Sequence, residues 1–221
     1  MGSLSCPAVK ICGLTDPEQA RAIAQMGVEA IGVIGVAHSP RYLADSRRKL
    51  LFSTLSAAAP ALRRVLVMAD PDNDQIAKAL AGEGSPTVIQ LHGQETPERC
   101  GQLRRLYPQT EWWKALRIRH ADDLEQIHGF STQVDSLLLD AWSPEQLGGT
   151  GQRLPLNWIN SLCFDLPWWL AGGISAEWIP EVLQQVSPSG LDASSRLESS
   201  PGIKDLQKVK ALIEAIRLQR E

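Results

Sequence analysis

No stretch of this 221-residue chain approaches the roughly 18 consecutive apolar residues of a membrane span. The N-terminal residues lack the charged start and apolar core of a signal peptide. Neither sign of charge dominates: the net charge is −3 and no basic stripe is present, which excludes nucleic acid and an anionic membrane surface as expected partners. Cysteine is sparse. Cys6, Cys12, Cys100 and Cys163 form no CxxC pair and no Cys/His ligand cluster. That excludes a structural zinc site and a disulfide framework, and it suits a reducing cytoplasm. Phenylalanine and tyrosine are few, and the seven tryptophans, several of them adjacent, read as packing residues. The acidic run Asp70-Pro71-Asp72-Asn73-Asp74 lacks the glycine and the distal glutamate of a calcium loop, so it reads as a helix cap. No linker or composition break divides the chain, which predicts one domain over residues 1–221.

What is present is alternation. Short apolar runs occur at 8–12, 30–36, 64–69, 87–91, 111–116, 134–139, 168–171 and 190–193. Helix-like segments follow them at 16–26, 45–58, 72–81, 97–106, 120–128, 156–161, 176–185 and 203–220. Near-continuous apolar strands are those buried on both faces of a parallel sheet. Eight strand–helix units predict a closed (β/α)8 TIM barrel, with an open doubly wound sheet as the alternative.

In such barrels the chemistry sits where the strands end. The first strand ends on Cys12-Gly13, the second runs into Ser39-Pro40-Arg41-Tyr42, and the fourth ends on Gln90-Leu91-His92-Gly93. The sixth ends on Asp140, the seventh on Gly172-Gly173 and the eighth on Asp192-Ala193-Ser194-Ser195. A thiol and a carboxyl group at the ends of two buried strands suit a proton-shuttling isomerase. Gly172-Gly173 and Ser194-Ser195 follow the seventh and eighth strands, where barrels commonly bind phosphate. Gly148-Gly149-Thr150-Gly151 adds a further glycine-rich segment. Strand alternation puts Lys10 on the face of Cys12, one layer below, and Gln90 on the face of His92. Lys10 is therefore expected to favour the Cys12 thiolate. Closure of the barrel would set Asp192 beside Lys10.

Together with Val9-Lys10-Ile11-Cys12-Gly13, Leu138-Leu139-Asp140, Leu170-Ala171-Gly172-Gly173 and Pro201-Gly202-Ile203-Lys204-Asp205, these segments resemble the phosphoribosylanthranilate isomerases of tryptophan biosynthesis. The resemblance spans nearly the whole chain in order. It implies an Amadori rearrangement of N-(5′-phosphoribosyl)anthranilate with no metal and no organic cofactor. It puts the catalytic base on Cys12, the catalytic acid on Asp140 and the arginine for the anthranilate carboxylate on Arg41. The phosphate segments fall on Gly172, Gly173, Ser194 and Ser195. Gln90 and His92 are candidate substrate contacts. A monomer or a homodimer is implied, with a small molecule as the partner. Three departures stand out: Arg196 follows the paired serines where the family usually has glycine, Gly32-Val33-Ile34-Gly35 lacks a frequent phenylalanine, and Met68-Ala69-Asp70 replaces a frequent Val-Phe. Another sugar-phosphate isomerase and a non-catalytic phosphate-binding barrel are the alternatives.

Overall fold

The computed structural model describes residues 6–142 and 151–219. Eight parallel strands close on themselves in chain order. They are β1 (Ala8–Cys12), β2 (Ala30–Ile34), β3 (Arg63–Met68), β4 (Val88–Leu91), β5 (Glu111–Ile118), β6 (Ser136–Ala141), β7 (Trp168–Leu170) and β8 (Gly190–Ala193). The closure pairs Lys10 of β1 with Asp192 of β8. The barrel expectation therefore holds over the open sheet.

Helices α1 (Pro17–Gln25), α2 (Asp45–Ala58), α3 (Asn73–Leu80), α4 (Pro97–Leu106), α5 (Ile127–Phe130), α6 (Ile179–Gln185) and α7 (Leu206–Leu218) lie between the strands and after the last. Their starts are written locally. Asp16 caps α1 ahead of Pro17, and Thr96 caps α4 ahead of Pro97. Asp72 caps α3 in a reciprocal box with Gln75, as the helix-cap reading of the acidic run requires. Among the described residues no helix is long and apolar enough to cross a membrane.

Several segments differ from expectation, among them the helix expected over 156–161, which is only a 3₁₀ turn, Leu156–Trp158. Residues 203–204 are not helical: Ile203–Lys204 forms β10, which pairs antiparallel with β9 (Glu198–Ser200). Gly202 makes the turn at φ +84°, and Asp205 caps α7 by accepting from the backbone N–H of Gln207 and Lys208. The helix expected over 120–128 is a 3₁₀ segment, Ala121–Gln126, before the single turn of α5. Asp123 accepts from the backbone N–H of Arg119 and His120 and tightens that entry. Strand β6 begins two residues later than expected, because Asp135 already accepts the backbone N–H of Trp112.

Alternate residues divide the core in two. A large outer cluster joins strands to helices. A small inner cluster plugs the barrel with Ala30, Val65, Val88, Trp113, Ala115, Leu138, Trp169 and Ala171. Trp113 and Trp169 meet inside it with their rings tilted by 30° and centroids 4.6 Å apart. Gly190 makes room for them, since a Cβ there would lie 2.2 Å from the Trp169 ring. We expect Gly190→Ala to cost about 1–3 kcal/mol through overpacking, read as a lower urea midpoint. An unchanged midpoint would mean that Trp169 swings clear.

Candidate active site

Above the apolar plug the inward positions turn polar. Lys10, Gly32, Gln90, Arg117, Asp140 and Asp192 each lie two residues beyond a plug residue or its inward neighbour, so they face one mouth of the barrel. Cys12 completes the ring from β1. Its sulfur rests over Gly32, where a Cβ would come within 2.6 Å of Sγ. The glycine noted as a departure in the second strand is thus the seat of the thiol.

Lys10 is fully buried and carries its charge into the barrel. Its Nζ lies 2.9 Å from Asp192 Oδ2 and donates to Gln90 Oε1 at 2.9 Å. Burial works against the ammonium, but Asp192 and, less strongly, Cys12 together lift Lys10 above the usual lysine value. The predicted pairing across the closure is present.

The same lysine orients a relay. Because Lys10 can only donate, Gln90 must present Oε1 to it, which turns the Gln90 amide nitrogen toward His92 Nδ1 at 3.1 Å. His92 Nδ1 is then the acceptor, and its proton sits on Nε2. Among the described residues that Nε2 has no hydrogen-bond partner, and it lies 3.8 Å from Asp140 Oδ2. Burial, with Lys114 and Lys10 nearby, drives the His92 pKa down to about 3, so the ring is neutral. Gln90 has both ends of its amide engaged, whereas among the described residues His92 Nε2 has no partner.

Asp140 is buried beside Gly172, whose missing Cβ would stand 3.2 Å from Asp140 Oδ1. Burial and the negative charge of Asp192 raise its pKa to about 7. Cys12 departs from expectation. Burial pushes its thiol above the ordinary value; Lys10 pulls the other way, but Asp192 offsets part of that pull. The resting group is the thiol, not the thiolate that Lys10 alone would favour.

Around this pair stand the remaining candidates. Gly172 and Gly173 both take positive φ, +86° and +68°, in the turn after β7. A Cβ on Gly173 would fall 2.8 Å from Arg153 Cγ, so the turn is close-packed as well as left-handed. Ser194 Oγ donates to Cys12 O at 3.0 Å, and Ser195 opens a short 3₁₀ turn. Arg196 is exposed and donates to Gly151 O at 3.0 Å. Residues 148–150 of the Gly-Gly-Thr-Gly segment lie outside the described residues. Arg41 is buried, and both Nε and Nη2 donate to Glu198, at 2.8 and 2.7 Å.

Three buried ion pairs had no counterpart in the sequence reading. Glu198 holds Arg41 and Lys204 together. Lys114 Nζ reaches Glu95 Oε2 at 2.8 Å and Gly93 O at 2.9 Å, pinning the loop behind His92. Neither partner of Lys114 is near it in sequence, so only alternation on β5 could have placed it, and alternation says nothing of its contacts. A cavity of about 600 Å³ opens beside β5, lined in part by Lys114, Arg117, Phe130 and Trp142, but Cys12 and Asp140 do not border it. Five perturbed groups, Lys10, Cys12, His92, Asp140 and Asp192, gather instead at the mouth.

A closed barrel with a buried thiol and a carboxyl poised near neutrality at one end has the build of a (β/α)8-barrel enzyme. A family model described as N-(5'phosphoribosyl)anthranilate (PRA) isomerase matches residues 9–215. N-(5'-phosphoribosyl)anthranilate isomerase of Thermosynechococcus vestitus is 45% identical over 93% of this chain and 88% of its own length. That of Nostoc punctiforme is 44% identical over 94% of this chain and 97% of its own. The crystal structure of phosphoribosyl anthranilate isomerase from Thermus thermophilus superposes with TM-score 0.80 at 28% identity, covering 96% of this chain and 99% of that one. The chain belongs to the N-(5'-phosphoribosyl)anthranilate isomerase family.

Proposed function

We propose that this chain catalyses the Amadori rearrangement of N-(5′-phosphoribosyl)anthranilate to 1-(2-carboxyphenylamino)-1-deoxyribulose 5-phosphate, with Asp140 as general acid and Cys12 as general base. Membership of the family names the substrate. The observation that carries the mechanism is the pair itself: a carboxyl held near pH 7 by burial, sharing one barrel mouth with a thiol.

Protonated Asp140 gives its proton to the ribose ring oxygen as the C1′–O bond breaks. The anilino nitrogen supplies the electron pair that forms the C1′=N bond. The iminium acidifies C2′–H, and Cys12 as thiolate removes that proton. The released pair forms C1′=C2′ while the C=N π electrons return to nitrogen. The enolamine then tautomerises to the ketone. Every bond change is a proton transfer or an internal shift, so no metal and no organic cofactor enters.

Binding is assigned by charge. The substrate phosphate lies on the Gly172-Gly173 and Ser194-Ser195 turns, which follow β7 and β8 where barrels commonly bind phosphate. The anthranilate carboxylate meets Arg41. His92 Nε2–H donates to a substrate oxygen, and Gln90 keeps it in that tautomer. All these groups come from one chain, within one domain whose active site lies at the C-terminal strand ends, so a monomer or a homodimer would serve equally. Free thiols at Cys6, Cys12, Cys100 and Cys163 suit action in a reducing cytoplasm.

Freshly generated N-(5′-phosphoribosyl)anthranilate tests the reading. Its fluorescence should decay on addition of catalytic amounts of the wild-type protein, with saturation in substrate. Tight binding of a product analogue without turnover would instead mark a phosphate-binding relative.

A further inference from the structure

Arg41 is already engaged before any substrate is considered. Its Nε and Nη2 donate in parallel to the two oxygens of Glu198, at 2.8 and 2.7 Å. The two side chains are 9% and 5% exposed, so this is an interior pair rather than a surface contact. A guanidinium has a second fork, formed by Nη1 and the remaining N–H of Nη2. Among the described residues no hydrogen bond occupies it, so engagement by Glu198 orients Arg41 without consuming it.

The anchor is itself anchored. Lys204 Nζ donates to Glu198 Oε1 at 2.7 Å, and the backbone N–H of Gly202 reaches the same oxygen at 3.2 Å. Lys204 also donates to Ser194 O and Oγ, at 3.2 and 3.3 Å. The hairpin of β9 and β10 thus ties Arg41 to the turn carrying Ser194, and Ser194 ties to Cys12 O. The stem of Arg41 crosses the backbone directly after Cys12: a Cβ on Gly13 would fall 2.6 Å from Arg41 Cδ. Burial opposes ionisation of Glu198, but Arg41 and Lys204 hold its carboxyl below the usual range. Two cations and one anion leave the cluster with a net positive charge, which one incoming carboxylate would neutralise.

We propose that Glu198 is a positioning residue for carboxylate recognition: it grips the Nε–Nη2 edge of Arg41 and so presents the other edge to the anthranilate carboxylate. The inference rests on the functional reading above and goes beyond it. It makes the hairpin after β8 part of substrate discrimination, with Lys204 as the counter-charge that keeps Glu198 ionised.

The test compares two substrates, N-(5′-phosphoribosyl)anthranilate and N-(5′-phosphoribosyl)aniline, which lacks the carboxylate. In Glu198→Gln the amide can accept one N–H but turns its own donors toward the other. KM for the carboxylated substrate should rise about tenfold or more, with kcat within about threefold. KM for the aniline analogue should stay within about twofold of wild type. Equal losses on both substrates would make Glu198 a mere scaffold residue, and no loss on either would also overturn the proposal. Should Glu198→Gln fail to fold, Glu198→Gln/Lys204→Met removes one cation together with the anion. The same selective loss is expected there, and equal loss on both substrates is again fatal. A wild-type protein that turns over neither compound would refute the functional reading instead, a distinguishable result.

Discussion

Asp140→Asn is expected to lower kcat by about 10²–10⁴-fold while leaving the fold intact, and Cys12→Ser should do the same. Asparagine fills the space of the carboxyl but has no acidic proton for the ring oxygen. Serine keeps a donor at the seat over Gly32 but is far too weak an acid to serve as a base. Circular dichroism and a product-analogue binding assay separate chemistry from folding. Variants that are folded, bind the analogue and still turn over at near wild-type rates would remove the pair from the mechanism.

The pH profile makes this prediction sharper. Productive enzyme needs Asp140 protonated and Cys12 ionised, whereas the site favours the opposite arrangement: Asp140 is near 7 and Cys12 lies above the usual thiol value. Below pH 7 Asp140 keeps its proton and activity climbs with the thiolate fraction, tenfold per pH unit. Above pH 7 each gain in thiolate is cancelled by loss of the Asp140 proton, so kcat/KM levels off. Beyond the Cys12 pKa the thiolate is complete and activity falls. The acid limb of the wild-type profile therefore reports Asp140, although Asp140 is the acid. In Asp140→Asn the break near pH 7 should vanish from the residual activity. Persistence of that break in the variant would assign it to another group.

The parts of this structure that were legible in the sequence share a physical basis. The strand 8–12 and the helix 97–106 have the expected bounds because a cap or a proline marks where each element begins or gives way. The Lys10–Asp192 pair followed from alternation and barrel closure together. The hairpin of β9 and β10 was not legible, because strands of three and two residues carry no periodicity. Glu198 escaped notice because its partner Arg41 is 157 residues away. The protonation of Cys12 was misread for a different reason. Sequence shows the charge of Lys10 but not the depth of burial, nor that Asp192 cancels part of its field. Contacts between neighbours in chain or register can be read forward, whereas desolvation and distant ion pairs exist only once the chain has closed.

Lys10→Met is expected to cost about 3–5 kcal/mol of stability, because it strands Asp192 as an uncompensated buried charge. It also strips Gln90 Oε1 of its donor, so the relay that fixes the His92 tautomer loses its origin. Adding Asp192→Asn removes the stranded charge and should return most of the loss, as expected when the penalty lies in the orphaned partner rather than in a missing attraction. Urea melts of the wild type, the single variant and the double variant measure this directly. The same set reports on the thiol. In Lys10→Met the pull of Lys10 on the thiol is lost, leaving only Lys204 to oppose burial and Asp192, and the Cys12 pKa should rise further, while the double variant should bring it back toward the wild-type value. The titration is best followed with a thiol probe in a Cys6→Ser/Cys163→Ser background, because Cys163 is exposed and Cys6 partly so, whereas burial pushes Cys100 up to about 12. A Cys12 titration that is identical in all three proteins would remove Lys10 and Asp192 from the control of the base and leave burial and Lys204 to set it.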